Sequence, residues 1–227
     1  MHLADAFPPF GLRIVAGPLV LRPISDDVLP ALIGVALGGI HDPAEMPFYY
    51  PWTDAPADRL PLEFAQYHWR TRASWSPEAW TLEFAVEYEG EIVGSQSIGT
   101  RDFAVTRTGE TGSWLGLAHH GRGIGTRMRQ AICAFVFDEL GAEEITSGAF
   151  TDNPASLAVS RKVGFRPDGT ARLARRGLPA VNQRLVLTRD AFVRGEPIAV
   201  TGADAFRRFI GIEQRSARRS APSPALG

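Results

Sequence analysis

The chain has 227 residues, 44% of them apolar, and a formal net charge of −1. This is enough for one ordinary domain with a full core and tails, and the balance points to a soluble globular protein. One cysteine, Cys133, permits no internal disulfide, and the longest apolar run, Val28 to Ile40, is too short to span a bilayer and contains Pro30.

In chain order, residues 1–17 are broken up by proline and glycine and read as irregular, with a short strand at Leu12 to Val15. Leu19 to Arg22 reads as a strand. Ser25-Asp26-Asp27 is an N-cap cluster that predicts a helix running to about Leu37. The stretch His41 to Pro61 is rich in proline, tryptophan, tyrosine and aspartate, and long loops of this kind often carry function. Its His41, Tyr49, Tyr50 and Trp52 are candidates to wall an acceptor cavity, or else to pin the loop to the core. Leu62 to Trp75 predicts a second helix, and Thr81 to Tyr88, Glu89-Gly90 and Glu91 to Ile98 predict a hairpin.

The most informative stretch is Gly112 to Phe165. A buried strand, Ser113 to Leu117, runs into the glycine loop His120-Gly121-Arg122-Gly123-Ile124-Gly125-Thr126. A long helix pattern follows, with Ile124, Met128, Ala131, Ile132, Phe135 and Val136 at helical spacing. Strand, glycines and helix start together present free backbone N–H groups at the positive end of a helix dipole, which suits an anion, most often phosphate. Arg122 and Thr126 can add side-chain contacts. A dinucleotide fingerprint would need glycine where Thr126 stands, and a P-loop would need Gly-Lys-Ser/Thr. A second strand, Ile145 to Phe150, leads to Asp152-Asn153-Pro154, a helix start, and that helix ends at Gly164. Beyond it, Arg172 to Arg175 and Val181 to Leu187 suggest an antiparallel pair, and Asp204 to Ile210 a short helix.

His120-x-x-Gly123-x-Gly125 resembles the Gln/Arg-x-x-Gly-x-Gly/Ala pattern of the GCN5-related N-acyltransferases (GNAT), with His120 in place of Gln or Arg. Asn153, Ser156, Ser160 and Gly164-Phe165 resemble the family's Asn-x-x-Ser…Gly-Phe pattern. Within the family the chain is most similar to the ribosomal-protein alanine acetyltransferase branch, and to a mycobacterial succinyl-CoA-dependent member of it. The resemblance covers roughly residues 18–192. It implies an α/β GNAT fold: a mixed, mostly antiparallel sheet of about seven strands, splayed at the acyl-CoA site and flanked by about four helices. On this division 1–17 is an N-terminal segment, 18–192 the acyltransferase domain, 193–215 an extension and 216–227 a disordered tail.

The resemblance also implies roles. The loop residues His120 to Thr126 would hold the pyrophosphate of acetyl-CoA or succinyl-CoA. The backbone of Trp114, Leu115 and Leu117 would bind the pantetheine arm, with a backbone N–H near Leu115 to Leu117 as oxyanion donor. Asn153 would cap its helix and touch the CoA arm, and Ser156 would protonate the leaving thiol, with Ser160 in reserve. Direct transfer to a primary amine of a small molecule or protein is implied, without a covalent acyl-enzyme.

The candidate bases are Glu83, His41, Asp42 and Asp102, and water is a further option. Glu83 alternates with Leu82 and Phe84, which also fits a solvated strand face. Ser156 and Ser160 share one helix face, which also fits plain packing. No metal-ligand spacing occurs, since the adjacent His119 and His120 make a poor metal pair.

Charge is unevenly placed, with a balance of −10 over residues 1–160 and +9 over 161–227. The basic end lacks a nucleic-acid recognition motif, so nucleic acid is not the expected partner. A cytoplasmic protein is expected, and a homodimer is compatible with the sequence. Two other readings stay open: a small-amine or antibiotic acetyltransferase, and a non-catalytic acyl-CoA-responsive regulator.

Overall fold

A computed structural model describes residues 1–212. Its centre is one nine-stranded sheet. The strands are β1 (Arg13–Ala16), β2 (Leu19–Pro23), β3 (Ala79–Tyr88), β4 (Glu91–Arg101), β5 (Thr108–Leu115), β6 (Glu144–Phe150), β7 (Arg166–Arg175), β8 (Leu178–Thr188) and β9 (Ala199–Thr201). The helices are α1 (Leu3–Ala6), α2 (Leu29–Leu37), α3 (Leu60–Ala73), α4 (Phe103–Thr106), α5 (Ile124–Asp138), α6 (Pro154–Val163) and α7 (Ala203–Phe209).

Across the sheet the order is β7-β8-β6-β5-β4-β3-β2-β1-β9. Every neighbouring pair is antiparallel except β5 and β6. That parallel pair touches only at Thr108–Glu144, Gly109–Ile145 and Glu110–Thr146. Past those residues the two strands part, although β5 continues to Leu115 and β6 to Phe150. The open V between them is the feature that positions the site. The architecture is the GNAT fold, with more strands and helices than the seven and four expected.

The two faces of the sheet have separate cores. Leu82, Phe84 and Val86 of β3 pack with Ile132, Phe135 and Val136 of α5, while Ala85 faces α2 and α3 with Leu32, Leu60 and Phe64. Strand alternation therefore puts Glu83 on the α2/α3 face.

Several boundaries differ from those expected, for local reasons. Helix α2 starts at Leu29, with Pro30 in its first turn, and not at Ser25-Asp26-Asp27. The Ser25 hydroxyl is bonded to Asp27, and the Asp26 carboxylate accepts from Trp69 and Arg72 of α3, so neither caps a helix. The strand expected at Ser113 to Leu117 begins earlier and stops at Leu115. Gly116 N–H goes to the Val93 carbonyl and Leu117 N–H to the Gly39 carbonyl, and Leu117–His119 form a 3-10 turn.

The ends are more ordered than expected. Residues 1–17 hold α1, a 3-10 turn (Pro8–Gly11) and β1. In the extension, β9 pairs with β1, and Phe206 of α7 is fully buried against Trp75 and Trp80. The tail expected at 216–227 lies outside the described residues. Among the described residues no helix is long and apolar enough to cross a membrane, and no group of His, Cys, Asp or Glu is arranged to hold a metal.

Candidate active site

The mouth of the V is lined by the glycine loop. Gly121 and Gly123 both adopt left-handed φ, 75° and 78°, and a side chain at either would project into open space. Glycine is needed here for the backbone conformation, and the cleared space lets an anion approach. Gly123 is the N-cap of α5. The N–H groups of Thr126 and Arg127 already return to the Gly123 carbonyl, while those of Ile124 and Gly125 point forward as in the first turn of any helix. Gly125 serves a different purpose. A Cβ there would touch Val159 at 3.5 Å, so its smallness sets the approach of α5 to α6.

His120, standing where the motif has Gln or Arg, is turned back to the strand. Its Nε2 lies 3.1 Å from the Leu115 carbonyl and ties the loop to the end of β5. Arg122 sits over the Tyr88 ring, 5.7 Å from its centroid, and 3.5 Å from Glu89. An open groove of about 620 Å³, lined by Val35, Gly39, Gly116 and Leu117 among others, lies between α2, the Gly90 turn and the 3-10 turn that precedes the glycine loop.

Inside the V, the backbone of β5 is divided by register. Gly112 and Trp114 pair with Ser97 and Ser95 of β4. Alternation then turns the N–H and C=O groups of Ser113 and Leu115 toward the gap. Leu117 N–H is spent on Gly39, which leaves Ser113 and Leu115 as the backbone donors that face the gap.

Across the gap, Asn153 caps α6. Its Oδ1 accepts from Ser156 N–H at 3.0 Å. Ser156 is half-buried, whereas Ser160 is 1% exposed and its Oγ has no hydrogen-bond partner. The two hydroxyls share a face, but only Ser156 sits near the helix start and the V.

The α2/α3 face of the V is aromatic. Trp114 lies 5.7 Å from Trp52 and 6.1 Å from Phe64, and Phe48 continues the wall 5.3 Å from Trp52. Trp52 is therefore brought to the site. His41 is a strut of the loop: Nδ1 lies 2.8 Å from the Asp42 carbonyl and Nε2 2.7 Å from Thr53 Oγ1. Asp42 accepts from Ala44 N–H, and Asp102 is an exposed turn residue before α4. Tyr49 and Tyr50 are on the outside, 65% and 72% exposed.

Glu83 is not on a solvated face. It is paired with His68, whose Nδ1 lies 2.6 Å from Glu83 Oε2, and their side chains are only 4% and 12% exposed. Glu83 faces Ser97 of β4, and Ser97 faces Gly112 of β5, so the carboxylate stands two strands from the gap, about 10 Å along the sheet. Burial of Tyr67, and then the charge of Glu83, push the Tyr67 phenol well above its ordinary value. His68 escaped the sequence reading. Its only signal was a histidine four residues after Phe64 on the buried side of the helix.

The loop from His41 to Pro61 is fastened from the β7–β8 turn. Arg175 makes a two-pronged pair with Asp152 at 2.8 and 2.6 Å and donates to the Met46 carbonyl at 3.1 Å. Arg176 does the same to Asp54 and reaches the Pro43 carbonyl. Each arginine holds its partner carboxyl below the usual range. Arg175 and Asp152 both lie in stretches singled out from the sequence, but nothing there announced their pairing; Arg176 lies outside them.

Known proteins share this arrangement. The family described as Acetyltransferase (GNAT) domain matches residues 18–166. The Bacillus subtilis (strain 168) protein YdaF, provisionally named a ribosomal N-acetyltransferase, is 31% identical over 91 residues, 40% of this chain and 49% of its own length. A second protein of that strain, YjcK, provisionally named an N-acetyltransferase, is 30% identical over 84 residues, 37% and 46% of the two lengths. The chain thus spans about half the length of the curated relatives it matches. Among solved structures, Mycobacterium smegmatis RimJ in complex with CoA-disulfide superposes with a TM-score of 0.65 at 22% identity, over 85% of this chain and 90% of that one. A RimL ribosomal α-N-protein acetyltransferase in complex with coenzyme A gives 0.62 at 19% identity, over 78% and 97%. The family match spans most of the chain and contains the glycine loop, the splayed strands and Asn153, and the chain belongs to the GNAT acetyltransferase family.

Proposed function

We propose that the chain is an acyl-CoA-dependent N-acyltransferase that moves an acetyl or succinyl group to a primary amine by direct attack within a ternary complex. The observation that carries this reading is the conjunction of the glycine loop at the α5 N-terminus with the gap between β5 and β6. Ile124 and Gly125 N–H, with Arg122 and Thr126, suit the donor's pyrophosphate. The N–H groups of Ser113 and Leu115 suit the pantetheine arm and the oxygen of the thioester carbonyl. CoA-bound relatives of the same fold support the donor class.

The amine enters from the Trp52, Phe64 and Trp114 side. Glu83, oriented by His68, takes a proton through intervening water, since it stands two strands from the gap, so that the neutral amine attacks the thioester carbonyl. The carbon–sulfur bond breaks, Ser156 supplies the proton for sulfur, and the proton lost by the attacking nitrogen restores the serine hydroxyl through solvent. Ser160 is the weaker candidate, because its hydroxyl is sealed in the core. The aromatic wall and the carboxylate behind it favour a cationic amine, on a small molecule or at a protein N-terminus.

Calorimetric titration with acetyl-CoA, succinyl-CoA and free CoA tests the reading, alongside Gly123→Trp. Binding in the micromolar range that is lost in the variant is expected, because tryptophan cannot easily hold φ of +78° and would fill the phosphate space. Absence of binding to all three would overturn the reading. Tight binding without thiol release on any amine would favour a non-catalytic acyl-CoA sensor.

A further inference from the structure

Helix α5 buries one residue that its apolar pattern does not explain. Arg129 is 4% exposed, on a helix whose other buried residues are apolar or Cys133. Its Nη1 donates to Ser147 Oγ at 3.1 Å and its Nη2 to Ser113 Oγ at 3.0 Å. Ser113 belongs to β5 and Ser147 to β6, so one guanidinium joins the two strands just past their last paired residues, Glu110 and Thr146. Two longer contacts stand at the same place. Ser147 Oγ is 3.5 Å from the Thr111 carbonyl, and Thr111 Oγ1 is 3.5 Å from the Thr146 carbonyl. Among the described residues no carboxylate pairs with Arg129, and its Nε has no hydrogen-bond partner.

Two strands that have begun to pair go on pairing while their backbone donors and acceptors still face each other, so the splay needs a stop. The hydroxyls supply it. By alternation, Thr111 is the next residue of β5 whose backbone faces β6, and Ser147 Oγ stands by its carbonyl where a ladder N–H would come. The guanidinium then spans the opening. Its rigid, planar set of N–H groups fixes how far apart the Ser113 and Ser147 hydroxyls stand. A leucine or methionine on α5 would fill the space without burying an unpaired ion, which is costly. Neither could hold both strands at once, so packing alone does not account for an arginine here. Ser113 also faces the gap with its backbone N–H, so the strut acts on the wall of the site from behind.

On the acyltransferase reading above, we propose that Arg129 is a positioning residue. Through Ser113 and Ser147 it ends the β5–β6 ladder and holds the Ser113 and Leu115 N–H groups where the pantetheine arm and the thioester carbonyl meet them. It touches neither donor nor amine. The glycine loop takes its shape from its own φ angles and does not depend on this strut. Loss of Arg129 therefore weakens the hold on the arm and spares the hold on the nucleotide end.

The test measures two affinities by calorimetry on the full chain. One ligand is acetyl-CoA, and the other is 3′-phospho-ADP, which carries the nucleotide and pyrophosphate but no arm. The variants are Arg129→Met, Arg129→Lys and Ser147→Ala, with a thermal melt of each. Arg129→Met should bind acetyl-CoA about tenfold more weakly or worse, because the arm's donors are no longer preorganised. It should keep its affinity for 3′-phospho-ADP and melt no lower than the wild type. Ser147→Ala should show the same split to a smaller degree. Arg129→Lys should recover part of the acetyl-CoA affinity, since an ammonium reaches one strand and cannot span both. Unchanged acetyl-CoA affinity in Arg129→Met overturns the assignment. Equal loss of both affinities does so too, because a merely structural role moves them together. Should Arg129→Met fail to fold, the split in Ser147→Ala decides. If the wild type binds both ligands and no variant splits them, the donor site stands and only the role of Arg129 falls. If the wild type binds neither, both fall.

Discussion

His68 Nδ1 and Glu83 Oε2 stand 2.6 Å apart, one on α3 and the other on β3, both nearly shut off from solvent. His68 Nε2 is buried and has no partner.

Glu83→Gln should lower kcat by about 10²- to 10⁴-fold, the usual contribution of a general base, with the affinity for the acyl donor unchanged. His68→Leu should cost about 1.5–3 kcal/mol of stability by removing a hydrogen bond to a buried carboxylate. Urea melts and steady-state rates measure both. Full activity in Glu83→Gln would move the base elsewhere or to water.

The two serines of α6 separate cleanly. Ser156→Ala should reduce kcat about tenfold or more through loss of the thiol proton donor. Ser160→Ala should leave kcat unchanged and stability equal or up to about 1 kcal/mol higher, because the buried Oγ has no partner to lose. A larger rate loss in Ser160→Ala than in Ser156→Ala would reverse the assignment.

Arg175 lowers the Asp152 pKa chiefly by its hydrogen bonds. A carboxylate whose folded pKa lies below its unfolded value stabilises the fold above the unfolded value, and loses that contribution as pH falls through the folded one. Asp152 has a side-chain exposure of 62%, so screening keeps the pair small. Asp152→Asn should therefore melt slightly lower at pH 7, by less than about 1 kcal/mol. The difference should shrink as pH drops below the ordinary aspartate value of 3.8 and vanish in strong acid. With Arg175 less firmly placed, its bond to the Met46 carbonyl should loosen, and the KM for the amine should rise. A melting difference that grows in acid would contradict the pairing.

Phe206 is fully buried with ring centroids 5.5 Å from Trp80 and 6.2 Å from Trp75. Phe206→Ala should cost about 3–5 kcal/mol. Thermal unfolding should remain a single transition if the extension is one cooperative unit with the sheet. A loss below about 1 kcal/mol would mean that α7 is only loosely docked.

Local chemistry made much of this chain legible. The glycine loop, the α5 period, the Glu89-Gly90 hairpin turn and the Asn153-Pro154 helix start each carry their cause within a few residues, and each appears where the sequence put it. The strand–loop–helix anion site is of that kind, since backbone N–H groups and glycine φ angles depend on immediate neighbours.

What the sequence left open depended on residues far apart in the chain. Glu83 alternates like an exposed strand residue, and only the packing of α3 over β3 brings His68, 15 residues earlier, against it. His41 looked free until Thr53 and Asp42 took both its nitrogens. Arg129 sits in an apolar helical arc whose burial no charge pattern announces, and its partners lie 16 and 18 residues away on strands that separate. The Arg175–Met46 clasp joins residues 129 apart. Sequence by itself determined most of the elements, the glycine loop and the family resemblance, because these rest on short-range backbone geometry. Only the tertiary structure decided which carboxylate has a partner, which histidine is a strut and which arginine has no acid, because desolvation and pairing depend on what the fold packs around each group.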